Sequence, residues 1–186
     1  MAPRHLSTSA WVLSRLVSEN DSKLTLLTST LGKIYATAKG AQKITSQRLG
    51  MLQPGNEVKI QLYSKGDFFW VTESKIIFHF LHHQKSLTQI NLLFYFLEII
   101  NALIPQHHSD PDTYSLVTKL IIAIETDNFY LLISSEIKLI EQLGYGPPDN
   151  IIKFFSQKDL SACQQALNTY LQSIIERPLF SPQLFK

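Results

Sequence analysis

The sequence predicts an α+β protein, in which a small β-barrel at residues 1–80 precedes an all-α domain at residues 81–186. Alternating segments separated by turns fill the first part of the chain, which also holds five of the seven glycines. In the second part, apolar residues recur at intervals of three and four, as they do on one face of a helix. The length of 186 residues suits one ordinary domain or two small ones.

Five segments have the alternation and the bounding turns of β-strands. The clearest is residues 57–63, in which apolar residues alternate with polar or charged ones. Residues 64–67 form a hairpin turn that leads into a long strand at residues 68–78. The remaining strands are predicted at residues 10–16, 23–28 and 33–40. Five strands in so short a stretch favour the OB-fold, a barrel whose closure hides its strand edges.

Four helices are predicted after the barrel. Ser86 and residues 156–159 cap the first and the last of them. Residues 110–112 place a proline and early carboxylates in the first turn of the second helix. Gly144 ends the third helix, and Pro178 ends the fourth. The predicted helices cover about residues 86–103, 110–124, 129–143 and 156–175.

Charge is distributed unevenly between the two parts. Residues 1–85 hold eleven Lys and Arg against five Asp and Glu, a net charge of +6, whereas residues 86–186 hold six against ten, a net charge of −4. No acid lies between Asp21 and Glu57. The cations in that window are Lys23, Lys33, Lys39, Lys43 and Arg48. Such asymmetry indicates a polyanion-binding first half, although a solvated basic face without a ligand would have the same composition.

Patterns that carry enzyme chemistry are missing from the sequence. It has no phosphate-binding glycine loop and no nucleophile elbow. The single cysteine, Cys163, has the spacing of a helical core residue and permits neither an intramolecular disulfide nor a cysteine zinc site. The pairs at residues 82–83 and 107–108 put histidines side by side, where they diverge instead of sharing a metal. We therefore expect no metal, no cofactor and no enzyme activity.

Membrane and export signals are also missing. The longest apolar run, residues 90–104, is shorter than a bilayer-spanning helix and is interrupted by Asn91, Glu98 and Asn101. The N-terminal residues lack the apolar run of a secretory signal. We therefore expect a soluble cytoplasmic protein with no membrane partner.

Binding is the function that the remaining features favour. A barrel that combines cations with exposed aromatic rings can neutralise phosphates while bases stack on the rings. The predicted DNA-contacting residues are Lys23, Lys33, Tyr35, Lys39, Lys43 and Arg48. The candidate stacking residues are Trp11, Tyr35, Phe68, Phe69 and Trp70. We expect one or two of these rings to face solvent, because alternate aromatic residues of a strand usually fill the core.

Two alternatives stay open. The barrel could bind protein instead of nucleic acid and act as an adaptor, since OB-folds serve unrelated functions. A less favoured alternative is an enzyme that acts on nucleotides. Salt-dependent binding to oligonucleotides separates the first alternative from DNA binding, and a turnover assay addresses the second.

Short elements along the whole chain resemble the family of bacterial recombination mediators called RecO. In the barrel, these elements are residues 21–28, Leu31-Gly32-Lys33, Ala38-Lys39-Gly40-Ala41, Arg48 and Leu52-Gln53-Pro54. In the helical part, they are residues 103–105, 110–112, Tyr114, Leu143-Gly144-Tyr145-Gly146-Pro147, 170–171 and 177–181. The resemblance implies the same OB-fold barrel and helical domain that the patterns predict.

The chain departs from that family in three places. Many members follow the LGY-x-P element with a four-cysteine zinc module, but here residues 149–155 follow it and the only cysteine is Cys163. Gln42 stands where a basic residue is usual after Ala-Lys-Gly, and residues 180–182 read Phe-Ser-Pro where a basic residue is usual. These departures imply a compact, less basic relative whose own DNA binding is weak.

The resemblance implies a non-enzymatic mediator of recombinational DNA repair in the bacterial cytoplasm, at the nucleoid. Such proteins bind single- and double-stranded DNA, anneal complementary strands coated by single-stranded DNA-binding protein, and with RecR help to load the RecA recombinase. Relatives bind the acidic, hydrophobic tail of single-stranded DNA-binding protein on their helical domain. The cations that the resemblance makes candidates for this contact are Lys119, Lys138, Lys153 and Arg177.

Overall fold

The chain is divided into two compact units. The computed structural model describes residues 4–18, 21–40, 48–82 and 84–175. The barrel unit comprises Met1–Gln84 and Ile104–Pro111, and the helical unit comprises Lys85–Leu103 and Asp112–Lys186. The division at Gln84 lies close to the boundary that the sequence predicts after residue 80. The assignment of residues 104–111 to the barrel unit is a feature that the sequence patterns did not predict.

Five strands form a closed barrel in the order β1-β2-β3-β5-β4. Neighbouring strands are antiparallel except β3 and β5, which pair in parallel through Ala36 with Phe69 and Thr37 with Trp70. The strands are β1 (Arg4–Ser18), β2 (Asp21–Thr28), β3 (Gly32–Ala38), β4 (Glu57–Lys65) and β5 (Phe68–Phe78). A short helix, α1 (Arg48–Met51), lies between β3 and β4, and a 3₁₀ turn at Phe80–His82 follows β5. The predicted OB-fold barrel is confirmed.

Alternate residues of every strand fill the barrel interior, because successive side chains of a strand point to opposite faces. In β4, Val58, Ile60 and Leu62 are buried, whereas Lys59 and Gln61 are exposed. The other buried members of this core are Ala10, Val12, Leu24, Leu26, Ile34, Ala36, Ala38, Leu52 and Val71. The residues between them therefore lie on the outer surface of the barrel.

The segment at residues 104–111 is anchored to the start of β3. The His107 N–H donates to the Lys33 carbonyl oxygen at 2.9 Å, and the Ser109 hydroxyl donates to the Thr30 carbonyl oxygen at 2.8 Å. Gly32 lies beneath this segment with a φ of +68°, and a Cβ built on it would overlap the His108 carbonyl group. Glycine is therefore required here both by the backbone conformation and by the close approach of the segment.

The helical unit contains five helices among its described residues. They are α2 (Leu87–Leu103), α3 (Pro111–Glu125), α4 (Phe129–Gln142), α5 (Asp149–Ser156) and α6 (Leu160–Ile174). The Ser86 hydroxyl accepts a hydrogen bond from the Gln89 N–H at 3.1 Å, and the Gln89 side chain accepts one from the Ser86 N–H, which is a capping box. Asp159 caps α6 by accepting from the Ala162 N–H at 3.1 Å. The helix starts predicted from these residues are confirmed.

Helix α5 is the element that the sequence analysis missed. It spans eight residues, and only Ile151 among them is buried, so its apolar period is too short to be distinguished from a loop. It follows Pro148, which offers no side-chain cap. The helix packs against α6, where the Cys163 thiol donates to the Ile151 carbonyl oxygen at 3.6 Å. Within the described residues, no helix combines the length and the apolar character needed to cross a membrane.

A polar cluster is buried between α2, α4 and α6. The Tyr95 hydroxyl donates to the Asn168 side-chain oxygen at 2.8 Å, and the Gln164 amide donates to the same oxygen at 3.0 Å and to the Glu136 carboxyl at 3.5 Å. Glu136 is only 2% exposed, and its Oε1 has no hydrogen-bond partner among the described residues. Burial raises the pKa of the Glu136 carboxyl to about 8, although the hydrogen bond from Gln164 opposes the shift. This carboxyl is therefore mostly protonated at neutral pH.

Replacing Gly32 with alanine should destabilise the protein more than the same change at Gly66. Both residues have a positive φ, near +68° and +62°, so each alanine carries a backbone penalty of about 1–2 kcal/mol. Only at Gly32 does the new methyl group meet backbone atoms, whereas the space around Gly66 is open. Chemical unfolding of the two variants measures the difference, which we expect to exceed about 1 kcal/mol. Equal losses would show that the packing of the segment on Gly32 contributes nothing.

The stability of the helical unit should fall as pH rises from about 5 to 8. The pKa of Glu136 is raised from its usual 4.5 to about 8, so in this window the unfolded chain releases a proton that the folded chain retains. The free energy of unfolding should therefore decrease by up to about 1.4 kcal/mol per pH unit. Burial also raises the pKa of Cys163 and Tyr95, so neither of these groups titrates in the window.

The variant Glu136→Gln is the matched test, because it keeps the shape of the side chain and removes its titration. Unfolding of both proteins between pH 5 and pH 8.5 should give a flatter profile for the variant. A variant with the slope of the wild type would assign the pH dependence to other groups.

Candidate nucleic-acid interface

A groove of about 560 Å³ crosses the outer surface of β1, β2, β3 and β5. This volume falls in the range of pockets that hold ligands. The face of β2 and β3 is also the one on which OB-folds hold oligonucleotides. The lining residues are Ser14, Leu16, Lys23, Leu24, Thr25, Tyr35, Ala36, Thr37, Asp67, Phe68, Phe69, Trp70 and Gln106.

The strand register arranges the groove in rows across the barrel. Lys23 on β2 lies opposite Thr37 on β3, and Thr37 lies opposite Trp70 on β5. Two residue pairs along, Thr25 lies opposite Tyr35 and accepts a hydrogen bond from the Ser14 hydroxyl at 2.9 Å. A cation, three serine and threonine hydroxyl groups and two aromatic rings are therefore held side by side on the sheet.

Two of the five candidate stacking residues face solvent, as expected. Tyr35 is 54% exposed and Phe68 is 70% exposed. Trp70 is partly exposed and stacks on Phe68 with ring centroids 6.2 Å apart and an interplanar angle of 29°. Phe69 packs partly buried against the core, and Trp11 is fully buried with its ring edge against Phe78. Tyr35, Phe68 and Trp70 are thus the rings that a ligand in the groove can reach.

The structure brings only some of the predicted cations to the groove. Lys23 lines it and is exposed, and Lys39 is exposed just beyond the end of β3 but does not line it. Lys43 and the side chain of Arg48 lie outside the described residues.

The expectation for Lys33 is corrected. This lysine is 6% exposed, because residue 33 forms a β-bridge with Gln106 and is covered by the segment at residues 104–111. A buried lysine at this position is not a surface cation of the groove.

The described lining residues of the groove include more aromatic rings than cations. Among the described residues that line it, Lys23 is the one cation and Asp67 is the one acid. Arg15 does not line the groove; its Nε donates to the Ser22 hydroxyl at 3.1 Å, and burial lowers the pKa of its guanidinium. Contact with flat rings, supported by a few charges at the rim, is what this arrangement offers a ligand.

The lining residues that the sequence analysis missed belong to outward positions of the strands. Leu16, Thr25 and Thr37 carry no charge or ring that marks them as functional, and Gln106 comes from a distant segment. Strand alternation alone assigns Thr25 and Thr37 to the outer face, since they alternate with core residues, whereas Leu16 lies beyond the register shift between Val12 and Ser14. Nothing in the sequence indicates that residue 106 lies beside β3.

A second groove, also of about 560 Å³, lies between α5 and α6 of the helical unit. Its lining residues are Pro148, Asn150, Ile151, Phe154, Ala162, Gln165, Ala166, Thr169, Tyr170 and Ser173. The Tyr170 hydroxyl donates to the Gly146 carbonyl oxygen at 2.8 Å, which ties the loop before α5 to α6.

The predicted partner-binding cations that the structure describes do not line this groove. Lys153 is exposed on α5. On the same helix, the partly buried Phe155 stacks on the exposed Tyr130, with ring centroids 5.2 Å apart. Lys119 and Lys138 are exposed on α3 and α4, and Arg177 lies outside the described residues. Of these cations, Lys153 is the one that belongs to a helix forming the groove.

Potential metal ligands are dispersed over the described part of the chain. In that part, no three His, Cys, Asp or Glu side chains are close enough to hold a metal ion together. The sole cysteine, Cys163, is buried in the helical unit and bonded to α5.

Known proteins resemble this chain along most of its length. The family model described as "Recombination protein O N terminal" matches residues 1–80. The DNA repair protein RecO of Caldanaerobacter subterraneus subsp. tengcongensis is 29% identical over 148 residues, which cover 77% of this chain and 60% of the relative. RecO of Thermoanaerobacter sp. is 26% identical over 154 residues, or 80% of this chain and 62% of the relative. RecO of Chlorobium limicola is 25% identical over 180 residues, or 93% and 68%. The chain thus spans about 60% of the length of the first two relatives.

Proposed function

We propose that this chain, which resembles the RecO DNA repair proteins along most of its length, binds single-stranded DNA in the groove of its barrel and acts in recombinational repair. The observation that carries the proposal is the exposure of Tyr35 and Phe68 beside Trp70 and Lys23 in one groove. Aromatic rings stack on unpaired bases whatever their sequence, and cations at the rim contact the phosphates. Binding is therefore tolerant of sequence.

Stacking supplies most of the affinity in this proposal. With Lys23 in the groove and Lys39 near it, few phosphates are neutralised by described side chains, so the salt dependence is shallow for a nucleic-acid-binding protein. Duplex DNA offers its bases only at the ends, so contacts to a duplex are limited to phosphates, which position the protein without reading sequence.

Annealing and recombinase loading are the activities we propose within repair. Both require that strands be held and aligned, and neither requires a nucleophile or a metal. In this scheme the protein anneals strands coated by single-stranded DNA-binding protein and, with RecR, promotes loading of RecA. Holding a strand by its bases also suits transfer, because stacking contacts are readily exchanged for base pairing.

The helical unit is proposed to dock the acidic, hydrophobic tail of single-stranded DNA-binding protein. The groove between α5 and α6 is lined by apolar atoms of Pro148, Ile151, Phe154 and Ala166, which suit the apolar end of such a peptide. Lys153 on α5 is exposed and can meet the carboxylates. Docking raises the effective concentration of the barrel at a coated strand, which offsets a weak intrinsic affinity for DNA.

A protein ligand for the barrel groove is the second candidate. The observation in its favour is the apolar character of the groove, where Leu16 is 65% exposed next to the aromatic rings. OB-folds bind proteins as well as nucleic acids, so the fold alone does not decide. Oligonucleotide binding that is weakened by replacement of Tyr35 would favour DNA over a protein as the ligand of this groove.

Replacing Tyr35 with alanine should weaken binding of single-stranded oligonucleotides by about 5- to 150-fold, since one stacked base is lost. Replacing Lys23 with glutamine should instead reduce the slope of log affinity against log salt by about 0.7, the value for one phosphate on a single strand. Fluorescence anisotropy at several salt concentrations measures both. Tyr130→Ala and Lys138→Gln, which change an exposed ring and an exposed cation of the helical unit, are the matched controls. Oligonucleotide binding that is unaffected by Tyr35→Ala would contradict the groove assignment.

Replacing Ala166 with aspartate should weaken binding of the tail peptide by at least about tenfold. The new carboxylate lies in the groove and repels the acidic peptide. Gln172→Asp is the control, because Gln172 is exposed on the same helix and does not line the groove. Isothermal titration of the full chain with the peptide measures both variants. Equal affinities of the two variants would place the tail elsewhere.

A further inference from the structure

Four aromatic side chains form a continuous ladder on the outer surface of β1, β4 and β5. His5 lies opposite Tyr63 in the pairing of β1 with β4, and Tyr63 lies opposite Trp70 in the pairing of β4 with β5. Ring centroids are 5.4 Å apart from His5 to Tyr63, 5.6 Å from Tyr63 to Trp70 and 6.2 Å from Trp70 to Phe68. The ladder therefore begins at the groove, which Trp70 and Phe68 line, and ends on β1 at the opposite side of β4.

The ladder is not part of the barrel core. Leu62 and Val71, the neighbours of Tyr63 and Trp70 along the chain, are the residues of these strands that fill the interior. His5 and Phe68 are exposed, and Tyr63 and Trp70 are partly exposed. Ring pairs across strands contribute to sheet stability, but a side chain as exposed as Phe68 gains little from burial. An exposed series of rings is the pattern expected of a contact surface.

The charges around the ladder suit a polyanion. Lys65 lies opposite Phe68 in the β4–β5 pairing, and Lys59 lies opposite Lys75 farther along the same two strands. All three lysines are exposed, and the exposed acids on this side are Glu73 and Asp67. The imidazole of His5 and the hydroxyl of Tyr63 add polar edges that can donate hydrogen bonds to phosphate or base oxygens.

We propose that this ladder is a second stacking platform for single-stranded DNA, continuous with the groove. The inference rests on the proposed function, and it adds a path: a strand that leaves the groove over Phe68 and Trp70 continues across Tyr63 to His5. Each base of an unpaired strand has a π-face, so consecutive rings hold consecutive stretches of the strand without regard to sequence. The binding site is therefore longer than the groove, and affinity grows with strand length until both platforms are occupied.

Anisotropy titrations of the full chain with labelled oligothymidylates of increasing length test this inference. For the wild type, affinity should rise with length and then level off. The variants Tyr63→Thr and His5→Thr should level off at a shorter length, and their affinity for the longest oligonucleotide should be lower by about 5- to 150-fold, with the shortest oligonucleotides unaffected. Tyr63→Phe keeps the ring and should retain the wild-type length dependence, which separates loss of stacking from loss of folding.

Gln61→Thr is the matched control, because Gln61 lies on the same outer face of β4 and carries no ring. Tyr35→Ala distinguishes this inference from the proposed function, since it should weaken binding at every length. A length dependence of Tyr63→Thr identical to the wild type would overturn the ladder assignment and would favour a protein partner for the rings, even if Tyr35→Ala still weakened binding. If neither Tyr35→Ala nor Tyr63→Thr weakened binding, the proposed function would be overturned as well.

Discussion

The parallel pairing of β3 with β5 is the contact on which the rest of the barrel depends. It joins residues more than thirty positions apart in the chain, through Ala36 with Phe69 and Thr37 with Trp70. Without it, the sheet would be open and its two edge strands would be free to pair with other chains. With it, the outer residues of β3 and β5 become neighbours, so that Tyr35 and Thr37 share one groove with Phe68 and Trp70. Closure of the barrel and formation of the candidate site are thus the same event.

The character of the site follows from which side chains this closure leaves outside. The core takes aliphatic residues, and the outer face of β5 keeps its rings, so the surface offers flat rings on which bases can stack. In the proposed function, stacking on these rings acts together with phosphate contacts. Docking of the helical unit on a protein that coats DNA would complement this stacking surface, because a tethered weak site acts at a high effective concentration. A stacking site and a docking groove in separate units would suit a protein that must release DNA as readily as it holds it.

Local patterns predicted the elements well and their long-range consequences poorly. Strand alternation identified all five strands, and the capping residues Ser86 and Asp159 located two helix starts, since both signals act within a few residues. The burial of Lys33 could not be predicted, because it depends on a segment more than seventy residues farther along the chain. The aromatic ladder was missed for a similar reason: Tyr63 becomes significant only once the register places it between His5 and Trp70. Spacing within one strand carries no information on that register.

Intrinsic tryptophan fluorescence gives the most direct measurement of contact between DNA and the outer face of the barrel. The chain has two tryptophans, and since Trp11 is fully buried, only Trp70 can meet a base. Titration with an oligothymidylate should quench the emission of Trp70 and saturate at the same concentration as anisotropy. The variant Trp70→Phe should still bind but lose the quenching. Saturable binding of the oligonucleotide with no change in the emission of Trp70 would show that DNA is held elsewhere.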